Sequence, residues 1–243
     1  MASKWDWQVF LQDPGGEYPT YWQWMLSAWG WTVSVALLAL IIALVAGSLI
    51  GIIRTLPDAP WAVRFGNAWV ELFRNIPLLV QLFIWYHVIP ALIPPMKEVP
   101  SFLLVVFALG FFTSARIAEQ VRSGIQALPK GQRYAGMAVG FTTFQYYRYV
   151  LLPMAFRIVM PTLTSEFMNV IKNSSVALTI GLLELTGRAR AMQEFSFKVF
   201  EAFAAATVIY LITNLIVVMG MRALEKKVRV PGFIGPAPSA AAH

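Results

Sequence analysis

An all-α integral membrane protein with five membrane-crossing helices is the fold class this sequence predicts, and three observations predict it. The 243 residues are 58% hydrophobic and only 13% charged, with a mean hydropathy of +0.63, more apolar surface than a soluble globule of this size can hide. The apolar residues fall into long runs that contain few or no charges. The basic residues behind the net charge of +7 sit between those runs instead of forming a patch, a pattern that membrane topology and anionic lipid produce and that argues against nucleic acid as a partner. There is no cysteine, so disulfides, thiolate metal sites and thiol nucleophiles are excluded.

Residues 1–20 form a segment ahead of the spans. They hold Asp6, Asp13 and Glu17 against Lys4 alone and so lack the basic start of a cleavable signal peptide, which leaves targeting to the first span. Tyr18 to Ile53 carries no charge and supplies span one, with Tyr18, Tyr21, Trp22, Trp24, Trp29 and Trp31 in an interfacial aromatic belt. Gly47 and Gly51 form a small-xxx-small face that permits close helix packing, or else are glycines merely tolerated there. Trp61 to Pro94 is too long for one simple span, and a broken or preceded helix with its bend near Pro77 is expected because proline removes a backbone bond. Ser101 to about Ile125, Ile158 to Leu183 and Ala202 to Met221 give spans three, four and five. Residues 21–229 are thus the membrane domain, and 230–243 form an irregular tail.

Between spans three and four, Lys130 to Pro161 is polar and basic, with Lys130, Arg133, Arg148 and Arg157 and no acid. Ala135 to Val139 favours helix, Gly140 stops it, and Phe144 to Leu152 gives a second helical run ending at Pro153. This helix, turn, helix unit carries the aromatics Phe141, Phe144, Tyr146, Tyr147 and Tyr149 and has the shape of a plug for a groove in another protein. An ordinary inter-span loop is the plain alternative. Orientation follows from the basic residues. Arg54, Arg64, Arg74, Arg116, Arg122, Lys130, Arg133, Arg148, Arg157, Arg222, Lys226, Lys227 and Arg229 fall on the hairpin side, and Lys4, Lys97, Lys172, Arg188, Arg190 and Lys198 on the other, together all 19. The hairpin and the C-terminus are therefore expected in the cytoplasm and the N-terminus outside.

No Walker sequence, HExxH, GxSxG or Cys/His cluster occurs, and His87 is expected at an interface without a catalytic or metal role. Ionisable groups within spans need a partner or a watery path. Glu71 and Arg74 lie three apart in ELFRNIPLLVQL; Glu166, Asn169, Lys172 and Asn173 lie on or near one face of span four; Arg116, Glu119 and Arg122 form a ladder that reads as self-satisfied. An amino acid needs one cation and one anion held rigidly, so Arg74 can fork onto an α-carboxylate, with Asn75 beside it, while Glu166 accepts from the α-ammonium and Lys172 serves an acidic side chain. The competing reading pairs Arg74 with Glu71 and Glu166 with Lys172 simply to permit burial.

ELFRNIPLLVQL resembles the ELFRGTPLLVQ motif of polar amino acid permeases, with Asn75 and Ile76 in place of Gly and Thr. SEFMNVIKNSS, ARIAEQVRSGIQALPKGQ and the ending EKKVRVPG are similar to the permease subunits of glutamate/aspartate ABC importers, and the likeness runs from Trp22 to Gly235. Gly131, Gln132, Ala135, Gly140, Leu151, Leu152 and Pro153 resemble that family's cytoplasmic EAA loop, departing from it at Tyr134, where the family has Glu, and at Gly136, where it has Ala. The resemblance implies the five-helix core of type I (MetI-like) importers in a bacterial inner membrane. It also implies a coupling loop over 130–157 in which Gln132, Arg133, Tyr134, Ala135, Gly136, Gly140 and Pro153 meet an ATPase. The implied partners are two ABC ATPase subunits, a second and usually non-identical permease subunit, and a periplasmic amino-acid-binding protein. No cofactor is implied in this chain, ATP and Mg being bound by the ATPase. An ion-coupled secondary transporter of amino acids, or a membrane scaffold, are the alternatives.

Overall fold

A computed structural model describes residues 5–228, without the side chains of Lys130 and Arg133. The expectations placed on Lys4, on Arg229, on the Arg133 side chain and on the 230–243 tail lie outside the described residues.

Thr20 caps the first long helix by accepting from the Gln23 backbone at 3.3 Å, and α1 then runs unbroken over Tyr21–Ile53. Along its length glycine replaces side-chain volume where α5 (Ser101–Gln126) crosses. A Cβ on Gly47 would sit 2.7 Å from both Ile117 Cβ and Ser114 O, and one on Gly51 would sit 2.8 Å from Ala118 O. Gly110 on α5 answers from the other side, 2.8 Å from Ile42 Cβ. The small-residue face is therefore a packed interface and not a tolerated irregularity.

Span two is broken as expected. α2 (Pro60–Asn75) and α3 (Leu78–Phe83) meet at Pro77, and α2 makes an angle of 103° with the apolar stretch Leu78–Leu92. With Trp61, Phe65 and Leu72 exposed on one side and Arg64, Glu71 and Arg74 interleaved, α2 is the amphipathic arm of the pair. A π turn at Ile84–Val88 follows α3 and leads into α4 (Ile89–Leu92).

The hairpin forms as the residues dictate. α6 (Lys130–Ala138) ends in a Schellman motif: Phe141 N–H donates to Gly136 O at 3.1 Å and Gly140 N–H to Met137 O at 3.0 Å, with Gly140 at φ +83°. Thr142 and Gln145 then form a reciprocal capping box that starts α7 (Thr143–Tyr146). The expected stop at Pro153 is absent. A π turn over Tyr147–Leu151, closed by Leu152 N–H on Tyr147 O, leads directly into α8 (Leu152–Asn173), so the proline falls in a first turn where its missing N–H costs nothing. Pro90 follows the Ile84–Val88 turn in the same way.

α8 passes Pro161 and continues as a 3-10 stretch, Ser174–Ile180, which Gly181 ends at φ +81°. α9 (Leu185–Ser196) and α10 (Val199–Val228) complete the order. Among the described residues, helices long and apolar enough to cross a membrane number four, α1, α5, Thr143–Ile180 and α10, or five if the bent α2 to α4 pair counts as one span. Before α1, a 3-10 turn at Trp7–Leu11 is tied to α10: Asp6 N–H donates to Glu201 Oε1 at 2.7 Å and Lys198 Nζ lies 3.3 Å from Asp6 Oδ2.

Candidate substrate site and hairpin

Near its hairpin end α5 carries Arg116 and, one turn on, the adjacent Glu119 and Gln120. They do not satisfy one another. Glu119 Oε1 accepts from Arg54 Nη2 at 2.9 Å and lies 3.4 Å from Arg74 Nη1, while Arg54 Nε also donates to Asn67 Oδ1 at 2.8 Å. Gly66 makes this possible, since a Cβ there would stand 2.6 Å from Arg54 Cγ. On the other flank, Gln120 Nε2 donates to Glu166 Oε1 at 3.2 Å, and Arg116 Nη1 is 3.8 Å from Glu166 Oε2. One helix face thus joins α2 to α8 through opposite charges.

Two pairings from the sequence are corrected by this arrangement. Arg74 turns to Glu119 on a neighbouring helix and leaves Glu71 exposed without an ion pair among the described residues. Glu166 turns to Arg116 and Gln120, while Lys172, six residues on, is exposed and unpaired among them. The ladder on α5 is likewise not self-satisfied. Buried carboxylates reach the partner that best replaces lost water, and here helix crossings supply it before intrahelical neighbours do.

The chemistry left over is what makes the face a candidate site. Glu166 is buried, yet its Oε2 has no hydrogen-bond partner among the described residues, and neither does Gln120 Oε1. Arg74 and Arg116 are about half exposed, at 56% and 45% of their side chains, with donors to spare. Glu119 and Gln120 also line a cavity of about 390 Å³ between α5 and α8, with Ser123 and Thr162. An open acceptor and open guanidinium donors along one helix can hold a zwitterion, though Arg74, Arg116 and Glu166 lie outside the lining of that cavity. Asn75 ends α2 and is exposed; Asn169 and Asn173 are half-buried on α8, Asn173 beside Leu78 and Leu82 rather than in that cavity.

On the hairpin, Tyr134 (71% exposed), Met137, Val139 and Phe144 form an apolar surface, with Ala135 exposed and Gln132 half-buried between them. Gly136 is buried because Tyr146 lies over it, 3.0 Å from where a Cβ would be; alanine there would press on that ring. Pro153 is exposed at the start of α8. Tyr147 anchors the unit by donating to Thr55 O at 2.7 Å, at the end of α1.

Sequence reasoning missed Glu184. It is fully buried and caps α9, accepting from Thr186 N–H at 2.9 Å, Gly187 N–H at 2.8 Å and the Tyr210 hydroxyl at 2.9 Å. The next residue, Leu185, donates its N–H to Thr32 on α1 at 3.0 Å, so α1, α9 and α10 meet there. An acid between Gly181 and Gly187 at the start of a helical pattern was the available signal.

Residues 45–230 match the family described as binding-protein-dependent transport system inner membrane component. The glutamate/aspartate import permease protein GltJ of Escherichia coli K12 is 42% identical over 97% of this chain and 99% of its own length. The glutamine transport system permease protein GlnP of the same strain is 31% identical over 82% of this chain and 90% of its own. Among solved structures, a chain of an amino acid ABC transporter superposes with a TM-score of 0.75 at 29% identity, covering 85% of this chain and 95% of that one. A chain of the MetNI methionine ABC transporter gives 0.73 at 20% identity, covering 85% and 97%, a likeness of fold.

Proposed function

This chain belongs to the family of binding-protein-dependent transport system inner membrane components, and from that membership we propose that it moves glutamate and aspartate, gripping the zwitterion between α2 and α8 on the polar face of α5. It is a multi-pass inner-membrane permease subunit of an ABC importer for polar amino acids and a transport component, not an enzyme. ATP is hydrolysed by a partner ATPase, and a binding protein belongs to the same machine; an ion-coupled secondary transporter finds no support among the relatives. The observation that carries the proposal is Glu166: a buried carboxylate with one oxygen lacking a hydrogen-bond partner among the described residues and the half-exposed Arg116 at 3.8 Å.

In the proposed site Arg74 releases a donor to the α-carboxylate, Glu166 Oε2 takes the α-ammonium, and Asn75, Asn169 and Asn173 supply amide contacts at its edges. Lys172, exposed and unpaired, meets the side-chain carboxylate that separates an acidic substrate from glutamine. The apolar tip of α6 and α7, with Gln132, Arg133, Tyr134, Ala135, Gly136, Gly140 and Pro153, seats in the ATPase, and the hairpin end and C-terminus face the cytoplasm with the N-terminus outside. A second permease subunit completes the membrane pair. ATPase closure pulls the hairpin and tilts the spans, opening the site outward; hydrolysis reverses it.

Two measurements test this. In cells lacking only this chain and complemented with it, labelled glutamate uptake is restored, competed by aspartate and weakly by glutamine; equal competition by glutamine refutes the acidic preference. Gly140→Val forces a β-branched residue to φ +83° and misaims the hairpin. The variant inserts in the membrane at normal level but loses co-purification with the ATPase, whereas normal co-purification refutes the hairpin assignment.

A further inference from the structure

A second cavity lies away from the substrate face and away from the hairpin tip. It measures about 770 Å³ and opens between the α1 to α2 elbow and the base of the hairpin. Arg54 and Arg64 line it, and no acidic residue does; Asp58, the acid of the elbow, is exposed and outside the lining. None of Tyr134, Met137, Val139 or Phe144 contributes, so a docked ATPase on those residues leaves the cavity's own walls uncontacted by them.

The two arginines differ in a way that suggests a ligand. Arg54 has a side chain only 5% exposed and commits Nε to Asn67 and Nη2 to Glu119, but its Nη1 is buried with no hydrogen-bond partner among the described residues. A buried guanidinium donor left open is costly unless something accepts from it. Arg64 is exposed and stacks 4.9 Å above the Trp61 ring, with Trp61 77% exposed and Phe65 57% exposed on the same amphipathic arm. Aromatics and a cation so placed mark the level of lipid headgroups. The walls inside are apolar: Leu56, Val63, Ile125, Leu128 and Leu151. A small free anion would satisfy the arginines and leave that wall against water; a phosphodiester with a glycerol and the start of acyl chains satisfies both.

The geometry points to a binding site for one anionic phospholipid, its phosphate between Arg54 and Arg64 and its glycerol backbone against the apolar wall. Because Tyr147 binds Thr55 at the floor of the same cavity, the lipid braces the elbow against the root of the hairpin.

The test uses the assembled importer containing the full chain, delipidated in detergent and titrated calorimetrically with dihexanoyl-phosphatidylglycerol, dihexanoyl-phosphatidylcholine or inorganic phosphate. Phosphatidylglycerol binds at one site per copy of this chain, and the other two bind at least about fivefold more weakly, the factor one membrane-surface cation contributes. Arg64→Gln lowers phosphatidylglycerol affinity by about fivefold, and Arg64→Glu abolishes binding. Equal binding of phosphatidylcholine, or of inorganic phosphate, overturns the lipid assignment. Unchanged affinity in Arg64→Gln overturns the site, and if Arg64→Glu fails to assemble, native mass spectrometry of lipid retained by the Arg64→Gln importer decides: retention equal to the unsubstituted protein overturns it.

Discussion

Among the described residues three glutamates are buried, Glu166, Glu184 and Glu201, and the first two are finished differently. Glu184 has both oxygens occupied, by two backbone N–H groups at the head of α9 and by the Tyr210 hydroxyl. Glu166 has one oxygen on Gln120 and the other without a hydrogen-bond partner among the described residues, with a half-exposed arginine at 3.8 Å. A carboxylate whose bonds are all made by the fold holds the fold together. One whose bonds are half made is waiting for something the fold does not contain. The pair separates a fastening from the group proposed to bind substrate.

The comparison can be broken at either end. The largest effect is expected at Glu184→Ala, which strands two N–H groups and a hydroxyl in the interior at roughly 3 kcal/mol or more; thermal stability in detergent and folded yield should both fall, and a variant of normal stability would remove the distinction. Glu166→Gln comes next, keeping the bond from Gln120's neighbourhood feasible while withdrawing the charge. Uptake should drop by about tenfold to a hundredfold, as loss of one charge-assisted hydrogen bond predicts, with thermal stability unchanged; a parallel loss of stability would make it a second fastening. The smallest is Tyr210→Phe, about 1 kcal/mol of stability for one hydroxyl, with uptake intact, and an uptake defect larger than the stability defect would place Glu184 in the transport path.

Most of the frame was legible because it depends on local rules. Apolar runs of membrane length gave the spans, Pro77 gave the break, Gly47 and Gly51 allowed the close crossing, and Gly140 gave the hairpin turn. What failed were choices between partners. Glu71 and Arg74 share a helix face, yet Arg74 prefers Glu119, which sequence spacing cannot show because the contact spans 45 positions and depends on a crossing. Pro153 was misread as a stop because a π turn, which has no residue signature of its own, delivers the chain to it in a position where proline is harmless. Glu184 escaped notice because a capping acid inside an apolar stretch looks like a loop residue until the third helix arrives to supply its hydroxyl.

The glycine seam has a mechanical side. Gly47 and Gly51 bring α1 to within a methyl's thickness of α5, and Gly124 does the same between α5 and α8, where a Cβ would meet Val159 Cγ1 at 2.5 Å. Backbone seated on backbone has no rotamers to yield, so these three helices act as one strut below the polar face. A load applied at the elbow between α6 and α7 passes first through the Tyr147–Leu151 π turn, and beyond it the strut carries Glu119 and Glu166 together.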